Sequence, residues 1–147
     1  MNTDLIDIKI RAVEGGVTAA AGFKAAGIHA GFRKNPERLD YALVVPDKPC
    51  PGAGVFTTNR FCAAPVQVSR ANLGGADKGY GIIAGVSVNS GNANAATGEI
   101  GLACARETCS IASQVIGCEP QQILVASTGV IGQILPIDTF ETAIPAA

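Results

Sequence analysis

The chain has 147 residues, of which 48% are hydrophobic and 16% charged, with a formal net charge of −1. This composition indicates a folded domain, or a single-domain portion over 1–147, and excludes a disordered chain. With 11 basic and 12 acidic residues, it offers no basic face for nucleic acid, which is therefore not an expected partner.

The sequence also predicts that the chain neither enters a membrane nor is secreted. No apolar stretch reaches about 18 residues, and the charged first residues lack the apolar segment of a signal peptide. Five cysteines without a CxxC spacing and a single histidine, His29, argue against a disulfide framework or a zinc site. We expect reduced thiols, a cytoplasmic location, no metal and no bound cofactor.

The first part of the chain is predicted to be mainly β-structure. Repeated glycine argues against a helix at 15–33, so a loop and then a strand near Ala26–Phe32 are expected there. The segment 41–47 is predicted to be a strand that Pro46 ends. A turn follows, and the β-branched segment 54–59 is predicted to be the second arm of a hairpin.

The middle of the chain holds one ambiguous segment and one clear strand. In 63–75, Pro65 suits the first turn of a helix, and Gly74 and Gly75 would end it. The continuous apolar run Ile82–Val88 indicates a buried strand. A polar loop rich in Gly and Asn follows that strand.

The clearest helix is predicted over 97–117, where Gly117 ends it. Its apolar stripe has three- and four-residue spacing and comprises Ile100, Cys104, Ile111, Val115 and Ile116. A strand over 121–127 follows, and then a last helix with Pro136 near its start. This order of elements predicts a mixed α/β chain.

The Gly/Asn loop 89–98 is the first candidate site. Free backbone N–H groups before a helix bind anions well, but the glycine spacing matches neither the phosphate-binding loop nor the dinucleotide motif. Asn tolerates left-handed backbone conformations, so a tight structural connection also explains the loop and is favoured.

The thiols are the second candidate. A cysteine nucleophile needs a neighbouring base, and His29 is the one imidazole in the chain. Cys104 and Cys109 lie on or beside the predicted apolar stripe, where a thiol behaves as a small hydrophobic group. Catalysis by cysteine is therefore not expected.

The third candidate is Ser127-Thr128-Gly129, which interrupts the apolar segment LVASTGVIG at 124–132. Backbone N–H groups and a hydroxyl at a sharp turn can stabilise the oxyanion of acyl transfer, and glycine permits such a turn. Taken alone, the three residues are explained better by an ordinary turn, because their spacing has no specificity without a nucleophile.

Four longer strings carry a family resemblance together. GGVTAAAGFKAAGIHAG, GVFTTNRFCAAPV, VNSGNANAATG and LVASTGVIGQILP occur in this order, from about Gly15 to Pro136. In them the chain resembles the bifunctional ornithine acetyltransferase/glutamate N-acetyltransferase of arginine biosynthesis. The third string has Ala96 where the family usually has Cys, which agrees with the absence of an essential cysteine.

The resemblance implies a mechanism. Such enzymes are made as one precursor that cleaves itself between Ala and Thr, and the new N-terminal Thr of the β chain is the nucleophile. It takes an acetyl group from N-acetylornithine and passes it to glutamate, and some members also accept acetyl-CoA. The resemblance places the oxyanion hole at Thr128 and Gly129. It also implies an α2β2 heterotetramer and an α/β fold of layered sheets and helices like that of Thr-nucleophile aminopeptidases.

The chain differs from the family in length. The family's α chain continues past a segment like FETAIPAA, which here is 140–147, through a substrate-contacting Thr and a Lys to the cleavage site. We therefore interpret the chain as an N-terminal part of the α chain that has the oxyanion hole and lacks the nucleophile. Two alternatives stay open: a non-catalytic binding domain on the same scaffold, and an aminopeptidase of related architecture.

Overall fold

A computed structural model describes residues 11–75 and 77–147 as two β-sheets and three α-helices. In chain order the elements are β1 (Phe23–Ile28), β2 (Tyr41–Pro46), β3 (Cys50–Ala53), α1 (Ala64–Asn72), β4 (Tyr80–Ile83), β5 (Gly85–Asn92), α2 (Gly98–Ile116), β6 (Ile123–Val130) and α3 (Ile137–Ala146). Short 3₁₀ turns lie at Gly16–Ala19 and Pro120–Gln122. Within this part of the chain, no helix is long and apolar enough to cross a membrane.

The main sheet has the strand order β1-β2-β5-β6. Its first two pairings are antiparallel, whereas β5 and β6 run parallel, with Gly85 beside Ile123 and Asn92 beside Val130. Parallel neighbours need a long crossover connection, which α2 provides here. The parallel pair therefore brings the carboxyl ends of β5 and β6 to the same edge of the sheet.

The helices cover one face of this sheet. Ile123 and Val125 of β6 are buried beneath them, and Ser69 of α1 hydrogen-bonds to the backbone of Val125. Phe140 of α3 is also buried, with its ring centroid 5.9 Å from that of Tyr41. The hydrophobic core thus lies between the sheet and the three helices.

The other face of the main sheet is only partly covered. Because side chains alternate along a strand, this open face carries residues between the core positions. Five apolar residues of this face have intermediate exposure: Ala42, Val44, Val86, Val88 and Leu124.

Several predicted elements are confirmed. The strand at 41–47 is β2, which ends at Pro46, and the ambiguous segment 63–75 contains α1. Helix α2 ends where expected, since Gly117 adopts a left-handed conformation with φ 81°. Pro136 directly precedes α3. The mixed α/β fold class is confirmed as well.

Two predictions in the first half are wrong. The first strand begins at Phe23 and ends at Ile28, rather than spanning Ala26–Phe32. The segment 54–59 is not a strand; the preceding residues form β3, which pairs with β4. A Cβ on Gly52 would lie 2.7 Å from Cγ1 of Ile83, so the glycine allows β3 to pack closely there, and packing outweighs the β-propensity of the next segment.

The prediction of one continuous strand over Ile82–Val88 is also wrong, because this apolar run divides at Ala84 between two sheets. Its first part belongs to β4 in the small sheet and its second to β5 in the main sheet. The Ala84 N–H donates to the carbonyl of Gln122 at 2.8 Å instead of continuing one ladder. Strand β6 begins two residues later than predicted and extends to Val130.

The predicted apolar stripe of α2 is confirmed only in part. Cys104 is buried, but Ile100 is 61% exposed and Val115 48% exposed. The buried face instead consists largely of small residues: Gly101, Cys104, Ala105, Thr108, Cys109, Ala112 and Ser113. Small side chains let the helix approach its neighbours closely, and a hydrophobic pattern alone underestimates such a face.

Candidate functional site

Thr128 and Gly129 lie near the end of β6, where the strand is exposed. In the parallel pair, Ser90 stands beside Thr128 and Gly91 beside Gly129. Burial decreases along β6, from Ile123 within the core to the exposed residues at its end. The apolar run therefore gives way to two exposed residues, a Thr that carries a hydroxyl and a Gly.

The two paired glycines are in close contact. Gly91 has φ 126° and Gly129 has φ 135°, values that L side chains rarely adopt. A Cβ on Gly129 would lie 2.2 Å from the carbonyl carbon of Gly91, and a Cβ on Gly91 would lie 2.6 Å from the carbonyl oxygen of Phe32. Three backbone segments thus pack against one another here, and only glycine fits at either position.

The Gly/Asn loop directs its amides inward. Asn89, Asn92 and Asn94 are 1%, 6% and 0% exposed. The Asn94 amide donates to the carbonyl of Gly101 at 2.9 Å, and its oxygen accepts a bond from the Thr97 hydroxyl at 2.8 Å. Asn94 has φ 45°, as expected for an Asn that closes a tight connection. These contacts favour the structural interpretation of the loop over an anion site.

Loop 29–33 forms a polar cluster beside the same strands, around Asp40. The Asp40 carboxylate accepts hydrogen bonds from the backbone N–H groups of Ala30 at 2.6 Å and Arg33 at 2.7 Å, and His29 Nδ1 lies 3.4 Å away. The guanidinium of Arg33 donates to the Ser90 hydroxyl at 2.6 and 3.1 Å. Arg33 is therefore fixed next to the strand that pairs with Thr128.

Sequence reasoning missed this cluster. Asp40 and Arg33 lie seven residues apart in a segment without a motif, and Ser90 is 57 residues from Arg33. Arg33 and Asp40 precede β2, and Ser90 lies within β5. Their proximity therefore becomes apparent once the register of these two strands is known.

The five thiols are free, and those on α2 are buried. Burial raises the pKa of the Cys109 thiol from 9.0 to about 11, against a smaller lowering by a hydrogen bond from Asn72. Burial also raises the pKa of Cys104. A raised pKa lowers the thiolate fraction, which fits a packing role for both residues. Among the described residues, no His, Cys, Asp and Glu side chains form a group that could hold a metal ion.

A cleft of about 560 Å³ lies elsewhere, between the segment 54–60 and α1. Arg60, Gln67 and Arg70 contribute side chains to it, and Thr128 and Gly129 do not line it. Arg70 is already engaged there, since its guanidinium donates to the carbonyl of Thr57 at 2.7 Å. The cleft is therefore separate from the end of β6.

Comparison with known proteins gives one consistent family. The model of the ArgJ family matches residues 24–147. The arginine biosynthesis bifunctional protein ArgJ of Dehalococcoides mccartyi is 47% identical over 129 residues, which are 87% of this chain and 31% of that protein. The protein of the same name from Bifidobacterium longum is 50% identical over 83% of this chain and 30% of its own length. The chain thus spans about three tenths of these relatives.

Solved structures agree in fold. The crystal structure of the arginine biosynthesis bifunctional protein of Bacillus halodurans superposes with a TM-score of 0.80 at 36% identity, covering 89% of this chain and 65% of that one. The ornithine acetyltransferase of Mycobacterium tuberculosis, solved in complex with ornithine, gives a TM-score of 0.81 at 37% identity over 89% of this chain and 68% of its own.

Proposed function

Since the ArgJ family model matches most of its length, the chain belongs to the ArgJ family, and we propose that it is the oxyanion-stabilising part of an acetyltransferase. The reaction moves the acetyl group of N2-acetyl-L-ornithine to L-glutamate in arginine biosynthesis. The names of the relatives refer to that pathway. The Mycobacterium tuberculosis structure contains ornithine, which is the compound left when N-acetylornithine gives up its acetyl group.

The reaction has two half-reactions. The hydroxyl oxygen of a Thr on a β chain attacks the acetyl carbon, and the carbonyl electron pair moves onto oxygen. When this intermediate collapses, the C–N bond breaks and ornithine leaves with the proton that the Thr hydroxyl gave up. The glutamate amine then attacks the acetyl ester, and negative charge develops on the same oxygen again. When this second intermediate collapses, the ester C–O bond breaks and the proton that the amine gives up returns to the Thr hydroxyl. Donors already directed toward that oxygen lower both barriers.

We assign those donors to Thr128 and Gly129. The observation that carries the assignment is their position, side by side at the exposed end of β6 with Gly129 pressed against Gly91. A donor that is already fixed needs no reorganisation as the charge develops. The glycine also keeps a side chain away from the path of the substrate.

The proposed partner is a β chain that carries the nucleophilic Thr, in an α2β2 heterotetramer. The open face offers that chain a partly covered apolar surface next to the Thr128 strand. No cofactor takes part, because the acetyl group passes directly from donor to enzyme to acceptor. Acetyl-CoA is a further acetyl donor that the same site could use.

Labelled N-acetylornithine tests the proposal. The chain is purified alone and co-expressed with both the rest of the α chain and the β chain, and the label on glutamate is measured. We expect transfer by the assembled protein and none by the chain alone, since an internal hydroxyl needs an adjacent base and His29 is the one imidazole of the chain. Transfer by the chain alone would contradict the proposed division of roles. Release of N-terminal amino acids without acetyl transfer would favour an aminopeptidase, and ligand binding without turnover a binding domain.

A further inference from the structure

Asn92 lies one residue after Gly91, at the end of β5, and is buried. Its amide nitrogen donates to the carbonyl oxygens of Gln133 at 3.3 Å and Ile134 at 3.0 Å. Its side-chain oxygen accepts a bond from the Asn94 N–H at 2.8 Å. One side chain therefore connects the loop after β5 with the segment that follows Gly129.

The same two segments are also joined through their backbones. The Ala93 N–H donates to the carbonyl of Val130 at 2.9 Å, and the Gly132 N–H donates to the carbonyl of Ala95 at 2.9 Å. Together with the Asn92 amide, these bonds fix the chain from 130 to 134. Gly129 is thus held on one side by contact with Gly91 and on the other by the hydrogen bonds of the segment 130–134.

The neighbouring asparagines bond elsewhere. The Asn89 amide donates to the carbonyl of Asn92, and the Asn94 side chain bonds to Gly101 and Thr97 at the start of α2. Among the described asparagines of this loop, Asn92 is the one whose side chain reaches the segment after Gly129.

We propose that Asn92 is a positioning residue for the acetyl transfer, which holds Thr128 and Gly129 in place through the segment 130–134. This inference rests on the proposed function. Gln133 and Ile134 are exposed residues and their bonds to the amide are only partly buried, so we expect the main loss without the amide to be one of position. A displacement of about 1 Å at a reacting centre can lower the rate by about 10².

Asn92→Asp is the sharpest test in the assembled enzyme. It keeps an oxygen that accepts the Asn94 N–H, and it replaces the donor with a carboxylate oxygen that the two carbonyl oxygens repel. We expect kcat to fall about tenfold to a hundredfold with KM within about twofold. Thr97→Val is the matched control: it breaks a bond of the same loop that does not reach 130–134, so it should lower the melting temperature and leave kcat near that of the parent.

A double variant separates positioning from general destabilisation. If Asn92 acts through Thr128 and Gly129, then Asn92→Asp combined with Thr128→Ala should lose less than the product of the two single losses, whereas independent effects would multiply. Hydrogen exchange of a peptide covering 128–134 gives a readout without turnover. It should be faster in Asn92→Asp and unchanged in Thr97→Val.

Unchanged exchange at 128–134 in a folded Asn92→Asp enzyme would overturn the proposal, as would a kcat within about twofold of the parent. Multiplicative losses in the double variant would also overturn it. If the parent enzyme transfers no acetyl group, the proposed function fails instead. The exchange measurement then decides by itself whether Asn92 holds the segment.

Discussion

Replacing Gly129 with alanine tests how tightly the two strand ends fit together. The new Cβ would lie 2.2 Å from the carbonyl carbon of Gly91 and 2.6 Å from the backbone nitrogen of Asn92. Both atoms belong to the backbone and cannot rotate away. Gly129→Ala therefore combines an unfavourable positive φ of 135° with a steric conflict that only a shift of β5 or β6 relieves.

Gly132 provides the matched control, since it has φ 80° and a Cβ there would meet nothing within 4 Å. Gly132→Ala should lower the free energy of unfolding by about 1–2 kcal/mol, the cost of a left-handed backbone for an L residue. Gly129→Ala should lose about 1–3 kcal/mol more, the usual cost of overpacking.

Urea denaturation of the chain, followed by circular dichroism at low protein concentration, measures both free energies. A larger loss for Gly129→Ala would support the close contact between the paired glycines. If the two variants differ by less than about 0.5 kcal/mol, the contact does not constrain the strand end, and the reasoning from the Gly91–Gly129 pair is refuted.

Three other outcomes follow from the packing and charges of the chain. Ser69→Ala should cost about 2–4 kcal/mol in urea denaturation, because it leaves both backbone groups of Val125 unpaired in the core; Ser113→Ala, whose hydroxyl bonds within its own helix, should cost under about 1 kcal/mol. Burial raises the pKa of Cys109 in the folded protein from its ordinary value of 9.0 to about 11. The buried thiol therefore contributes fully to the free energy of unfolding below about pH 9, and this contribution is lost as the pH rises through about 11. When the pH is raised from about 8 to about 10.5, the free energy of unfolding should fall by about 2 kcal/mol less in Cys109→Ala than in the parent. Equal losses would contradict the burial of the Cys109 thiol. The isolated chain should associate with itself through the open face as its concentration rises, and a monomer at every concentration in sedimentation experiments would contradict this.

The sequence predicts best where a local rule decides the structure. Gly117 ends α2 because a left-handed residue closes a helix there, and Pro136 precedes α3 because its ring suits a helix start. Sequence-level prediction failed where packing between distant segments decides. The run Ile82–Val88 gives no sign that Ala84 leaves one sheet for another, since both halves are apolar.

The same distinction applies to the candidate site, since some of its residues could be predicted from the sequence and others could not. Thr128 and Gly129 could be singled out from the sequence because a family motif carries them, although their roles stay a prediction. Their supports could not be found in this way. The contact with Gly91 depends on the register of two parallel strands, and the bonds of Asn92 reach 41 and 42 residues along the chain. Such contacts follow from the fold and have no fixed spacing in the sequence.

Steady-state acetyl transfer by Thr128→Ala, with Ser127→Ala beside it, tests the central claim most directly. The measurement uses the assembled enzyme, N-acetylornithine and glutamate, with thermal melts to show that each variant is folded. If the Thr128 hydroxyl stabilises the oxyanion, kcat should fall by about 10²–10³ with little change in KM, and Ser127→Ala should alter turnover far less. A folded Thr128→Ala enzyme with the parent's kcat, next to a Ser127→Ala enzyme that has lost it, would contradict the assignment and transfer the role to Ser127.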